Sequence, residues 1–205
     1  MSTTTEPVLT PERLATGYSY SAYRQLIDEA LLQNRTTGLN QSEELTHYTR
    51  LNVQRMGRID KTVQLLPELR EALANLQNRY VWLVITEGWC GDAAQIVPVL
   101  EAVVQASDGK LESRYLLRDE NPELMDRYLT NGGRSIPKLV ILHADTLTEV
   151  TNWGPRPVAA QAMFMQLKAQ GIPHNEFITQ VHGWYAKDKT QSTQQELVQL
   201  VQSLT

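Results

Sequence analysis

The spacing of apolar residues changes along the chain, and each change marks an element. Between residues 42 and 66, Leu45, Tyr48, Leu51 or Asn52, Met56, Ile59, Val63 and Leu66 recur every three or four positions, which predicts one apolar stripe on a long helix. Asn40 or Ser42 is placed to cap it, and Arg50, Arg55, Arg58 and Lys61 read as its solvated face. Upstream, Thr10-Pro11 is a cap and first-turn signal, and Leu14, Tyr18, Leu26, Ile27, Ala30 and Leu31 predict one or two helices ending near Gln33. Residues 34–40 form a turn cluster, and the polar residues 1–9 are expected to fray.

From Pro67 the pattern alternates between periods. A helix over 67–77 carries Leu69, Leu73 and Leu76, and a continuous β-branched and apolar run at 80–86 reads as a buried strand. Helix, strand, helix and two strands follow at about 91–106, 111–117, 122–130, 138–143 and 147–152, then a helix at 157–169. Alternating strands and helices imply a parallel pair with a right-handed crossover, whereas the short link at 143–146 suits an antiparallel hairpin. The fold class expected is α/β: a four-stranded mixed sheet flanked by helices, with helical extensions at both ends. The expected division is 1–66 for the N-terminal helical extension, 67–170 for the α/β domain and 171–205 for the C-terminal helical extension. In the last of these, Gly171-Ile172-Pro173 breaks the chain, Asn175 can cap a helix through Phe177, Ile178, Val181 and Trp184, and Ser192 and Thr193 each precede a Gln or Glu by three residues, a capping-box pattern. The final helix carries Leu197, Leu200, Val201 and Leu204.

Composition narrows the function. With 41% hydrophobic and 20% charged residues and a net charge of -4 over 205 residues, the chain is globular in character and has no electrostatic reason to bind nucleic acid or anionic lipid. The start lacks a basic and apolar leader, and no apolar run is long enough to span a membrane, so a cytoplasmic location is expected. The four histidines, His47, His143, His174 and His182, lack metal-ligand spacing, and no cofactor is expected. Phosphate-binding, zinc-protease and serine-hydrolase motifs do not occur.

The candidate chemistry lies in residues 80–100, YVWLVITEGWCGDAAQIVPVL, which hold the single cysteine. Strand, tight loop and helix start meet at Trp89-Cys90-Gly91-Asp92, and the unpaired N–H groups and positive end of a helix favour a thiolate. Asp92 opposes this with its charge, so an ordinary or mildly lowered thiol pKa is expected.

WCGD after a hydrophobic strand resembles the WCGPC site of the thioredoxin superfamily. Arg134-Ser135-Ile136-Pro137-Lys138, followed by an apolar strand, resembles that family's proline loop, in which a cis bond faces the active-site cysteine. Residues 116–129 (LLRDENPELMDRYL) resemble its strand, Asn-Pro turn and short helix, and the likeness covers roughly 67–170. WCGDAAQ, with WGPRP at 153–157 and WYAKDK at 184–189, resembles a bacterial subgroup of the superfamily.

The departures shape the expected function. Ala93 stands where the resolving cysteine belongs, Asp92 replaces the proline, and Val84 replaces the aspartate that many thioredoxins bury. A dithiol site releases its product by attack of the second thiol, which Ala93 cannot provide. The resemblance therefore implies a monothiol site: Cys90 as nucleophile, with Trp89, Gly91, Asp92, Ser135, Ile136 and Pro137 bordering the substrate. The expected partner is a protein thiol or a low-molecular-weight thiol. A non-catalytic thioredoxin-fold peptide-binding module is the alternative, and a shared iron–sulfur site is a weaker third. Glu87, Asp92 and Arg134 read mainly as solvated charges, Trp153 as either a groove wall or a packed turn residue, and Trp184 and Tyr185 as a seam holding the C-terminal helix.

Overall fold

A computed structural model describes residues 9–205. Residues 1–8, most of the stretch expected to fray, lie outside the described residues. The chain forms α1 (Pro11–Ala15), α2 (Tyr20–Leu32), α3 (Glu43–Thr62), α4 (Pro67–Ala74), β1 (Tyr80–Thr86), α5 (Gly91–Gln105) and β2 (Leu111–Leu117). After a 3-10 turn at Arg118–Glu120 come α6 (Pro122–Met125), β3 (Lys138–His143), β4 (Glu149–Trp153), α7 (Val158–Ala169), α8 (His174–Asp188) and α9 (Gln191–Gln202).

The sheet order is β2-β1-β3-β4, with β1 parallel to β2 and antiparallel to β3, and β4 antiparallel to β3. All seven residues of β1 are buried, as the unbroken apolar run requires of a central strand covered on both faces. Each aliphatic side chain enclosed there contributes about 1.5–3 kcal/mol relative to exposure. The outer edge of β2 is covered by Tyr18, whose N–H donates to Tyr115 O at 2.9 Å and whose carbonyl accepts Tyr115 N–H at 2.9 Å. This mixed sheet with its flanking helices is a thioredoxin-like α/β fold.

The C-terminal extension is anchored through α9. Gln194 Oε1 accepts the Leu66 N–H at 2.8 Å ahead of α4, and Tyr80 Oη donates to Leu204 O at 2.6 Å, joining the last turn to the first strand.

Several local expectations change; Asn175, for one, does not cap α8, whose N-cap is Pro173 without a side-chain bond. The helix drawn over 122–130 stops at Met125, because Thr130 and Gly133 exchange backbone hydrogen bonds around Asn131 and Gly132, both at positive φ, and Arg134 closes the turn with two bonds to Asp126. The capping box at the last helix does not form: Ser192 bonds back to Asp188, and the cap position is Thr190, in the left-handed region, whose hydroxyl accepts from the Gln194 side chain at 2.9 Å instead of from a helix N–H. In α3, Ser42 does cap the helix, but the buried face runs Thr46, Thr49, Asn52, Met56, Ile59, while Leu45 and Tyr48 are only half-buried. The first half of that face is polar because it meets a polar loop rather than the sheet.

Candidate functional site

The thiol turn links β1 to α5. Cys90 is the N-cap of α5: its Sγ accepts the Ala93 N–H at 3.4 Å and donates to Ile136 O at 3.2 Å. That bond to Ile136 places the proline loop, with its cis Ile136–Pro137 peptide, opposite the sulfur. Gly154, at φ +103°, lets the turn after β4 press on this loop, since a Cβ there would lie 2.6 Å from Pro137 O. Lys138 reinforces the approach by donating from Nζ to Gly154 O at 3.2 Å.

The sulfur is nearly enclosed, with Cys90 only 7% exposed. Burial, with the Asp92 charge second, pushes the thiol pKa up to about 12, against the pull of the Ala93 N–H and Arg156. The expectation of an ordinary or lowered value is corrected: desolvation of the anion outweighs the helix N-terminus.

Glu87 and Asp92 are both buried, which corrects their reading as solvated charges. Asp92, in the first turn of α5, accepts from Arg156 Nη2 at 2.6 Å and from Tyr185 Oη at 2.8 Å. Arg156 lies over the Phe164 ring at 3.7 Å and donates from Nη1 to Gln161 at 3.1 Å, so this guanidinium is fixed on two sides. Glu87 accepts the Asp119 N–H at 3.0 Å, and burial lifts its pKa to about 7 although Thr37 and that amide favour the charged form. Arg134 is exposed and paired with Asp126.

The other expected residues divide. Gly91 lies under α8, where a Cβ would meet the His182 imidazole at 2.7 Å. Trp89 is half-buried, with the Arg118 guanidinium 4.6 Å from its ring centre. Ser135 is half-buried, while Ile136 and Pro137 are buried beside the thiol. Trp153 donates to Glu196 Oε2 at 2.7 Å and also lines a cleft of 530 Å³ with Lys138, Arg156 and Gln161, so wall and packed residue are both partial descriptions. The Trp184–Tyr185 pair lies on α8 of the C-terminal extension, but Tyr185 reaches Asp92 beside the thiol turn itself.

Sequence reasoning missed the residues that hold the turn from outside its motif. Asn52 Nδ2 donates to Gly88 O at 3.0 Å, and Thr37 Oγ1 accepts the Gly88 N–H at 2.8 Å. Arg156, His182 and Tyr185 close the other side. Two signals were available: the interruption of the α3 stripe by threonines and Asn52, which marks a helix face turned to a polar partner, and the motifs WGPRP and WYAKDK, which hold Arg156 and Tyr185. Burial, with Arg55 second, lowers the His182 pKa to about 4, so the imidazole against the helix start is neutral at pH 7.

A strand-to-helix cysteine, a facing cis-proline loop and this sheet order define the thioredoxin class of proteins. The chain belongs to the thioredoxin family, whose model, described as "Thioredoxin", matches residues 38–168. It is similar to Thioredoxin 1 of Nostoc sp., 38% identical over 53 residues, and to a thioredoxin of Synechocystis sp., 40% identical over 53 residues; each match covers 26% of this chain and 47% of the relative. The chain thus spans about half the length of these curated relatives. A protein of unknown function from Pseudomonas aeruginosa shares the fold at TM-score 0.63 and 15% identity, over 95% of this chain and 97% of its own. An HIV epitope-scaffold does so at TM-score 0.59 and 15% identity, over 94% of each chain.

Proposed function

We propose that this chain is a monothiol thioredoxin-family protein that exchanges its single thiol with a protein or low-molecular-weight disulfide. The thiolate of Cys90 attacks a disulfide R–S–S–R′, forming Cys90–S–S–R and releasing R′–S⁻. A second thiol then attacks the mixed disulfide, regenerating Cys90 and carrying R away as a new disulfide. The observation that carries this reading is the sulfur at the N-cap of α5, 3.2 Å from the Ile136 carbonyl at the proline loop, in a chain with no other cysteine. A reducing cytoplasm suits a lone thiol of this kind. No helix among the described residues is long and apolar enough to cross a membrane.

Intact-mass measurement of the native protein after prolonged incubation with oxidised glutathione at pH 8 is expected to show one adduct, absent in Cys90→Ser. An adduct that forms only after denaturation overturns the reading.

The enclosure of Cys90 favours a second reading, a peptide-binding module without covalent turnover. In that case Cys90→Ser retains partner capture in a pull-down, whereas covalent exchange loses it.

A further inference from the structure

The cover on the thiol turn comes from α8, and α8 is lightly held. Of its fifteen residues only Val181 and Tyr185 are buried. It is entered after Gly171 at φ +64° and left through Lys189 at φ +50° and Thr190 at φ +69°, so the chain reverses sharply at both ends. By contrast α9 beyond it is fixed to α4 and β1. Few buried apolar groups mean a low cost of local opening.

Two polar contacts join α8 to the start of α5: a long one between Gln95 Nε2 and His182 Nδ1 at 3.5 Å, and a short one to a side chain of the motif. Asp92 receives Tyr185 Oη from α8 and Arg156 Nη2 from the turn after β4, so two separate elements converge on one carboxylate in the first turn of α5. The His182 ring sits on Gly91 one residue earlier, in space that any side chain at this position would need. Phe177 of α8 meets Phe164 of α7 edge-on at 4.8 Å, a contact away from the turn that can persist when the Asp92 end releases.

We propose that Asp92 is a latch: its carboxylate fastens α8 over the N-terminus of α5, and release of α8 is the step that admits a partner to Cys90. This inference rests on the monothiol reading and adds its regulation. The residue that replaces proline in the motif thus closes the site instead of shaping a second cysteine. A partner that offers its own hydrogen-bond donor to Asp92, or its own surface to the Tyr185 face of α8, opens the latch as it binds.

The test is the rate of Cys90 alkylation by iodoacetamide in the native full chain, with Tyr185→Phe as the variant, because it removes the bond to Asp92 and keeps the ring and every charge. The variant is expected to alkylate about tenfold faster than the parent under native conditions, as loss of a hydrogen bond to a charged acceptor predicts. In denaturant the two rates should be equal. Equal native rates overturn the latch and leave the exchange reading to be decided by the glutathione adduct. A faster variant that forms no glutathione adduct keeps the latch and removes the exchange reading. Hydrogen exchange of the unmodified protein tests the same point without a variant: α8 amides are expected to exchange through local opening well before those of α5, and exchange of both only on global unfolding overturns the proposal.

Discussion

Gly88 and Gly91 flank Trp89 and Cys90, and the molecule treats the two sides of this short turn in opposite ways. On the Gly88 side both backbone groups of the glycine are bonded to buried side chains, the N–H to Thr37 and the carbonyl to Asn52. On the Gly91 side no side chain among the described residues bonds to the glycine backbone; an imidazole rests on it and a tyrosine hydroxyl reaches its neighbour Asp92. One flank is built into the structure through main-chain hydrogen bonds, the other is covered by a helix with two buried residues. A turn held at its strand end and merely roofed at its helix end can keep the sulfur in place while access to it changes.

The largest effect is expected on the bonded flank. Asn52→Ala leaves the Gly88 carbonyl buried without its donor and removes the acceptor of Arg55, which should cost about 3 kcal/mol in urea unfolding. An effect under about 1 kcal/mol would break the distinction between the two sides.

The two flanks also carry titrations of opposite sign. Glu87 has a raised pKa, so its contribution to stability is present below the usual carboxylate value of 4.5 and is lost as pH rises through about 7. Glu87→Gln should therefore remove a loss of about 2 kcal/mol between pH 4.5 and 7, read as a steeper rise of stability with pH than in the parent. His182 has a lowered pKa, so its contribution is present above 6.5 and is lost as pH falls through about 4. His182→Gln should flatten that acid side by about 1 kcal/mol, reduced from the full linkage because the ring is partly open to solvent. Thermal melts at several pH values compare the slopes, and identical slopes in parent and variants would remove both assignments.

The smallest change in stability is expected at the covered flank. Gly91→Ala, at the first residue of α5, gains only part of the roughly 1 kcal/mol helix-interior difference and pushes the His182 ring outward together with α8, so net stability should move by under about 0.5 kcal/mol. Alkylation of Cys90 should nevertheless rise by about two- to threefold as α8 is lifted. A large loss of stability there would show that the roof is as integral as the bonded side.

How much of this was legible in the sequence follows the same divide. The strands at 80–86, 111–117 and 138–143 were read with their bounds because continuous apolar runs between polar turns admit little else. The thiol at the head of a helix followed from local order alone. The burial of Asp92 and Glu87 did not, because nothing within a few residues of either announces Arg156, Tyr185 or Thr37, which approach from distant parts of the chain. The thiol pKa was misjudged for that reason: the helix end is a local feature, the desolvation is a tertiary one. The polar half of the α3 face was visible as letters, but its meaning depended on the loop it covers.

The hem that Tyr18 sews along β2 has a consequence for strand addition. With two main-chain bonds at 2.9 Å it occupies that margin at Tyr115 and interrupts it for an incoming extended peptide, whereas the outer margin of β4 is uninterrupted by any strand pairing among the described residues. A ligand that lengthens this sheet therefore finds its continuous margin beside Glu149–Trp153, on the strand that leads into the Arg156 turn.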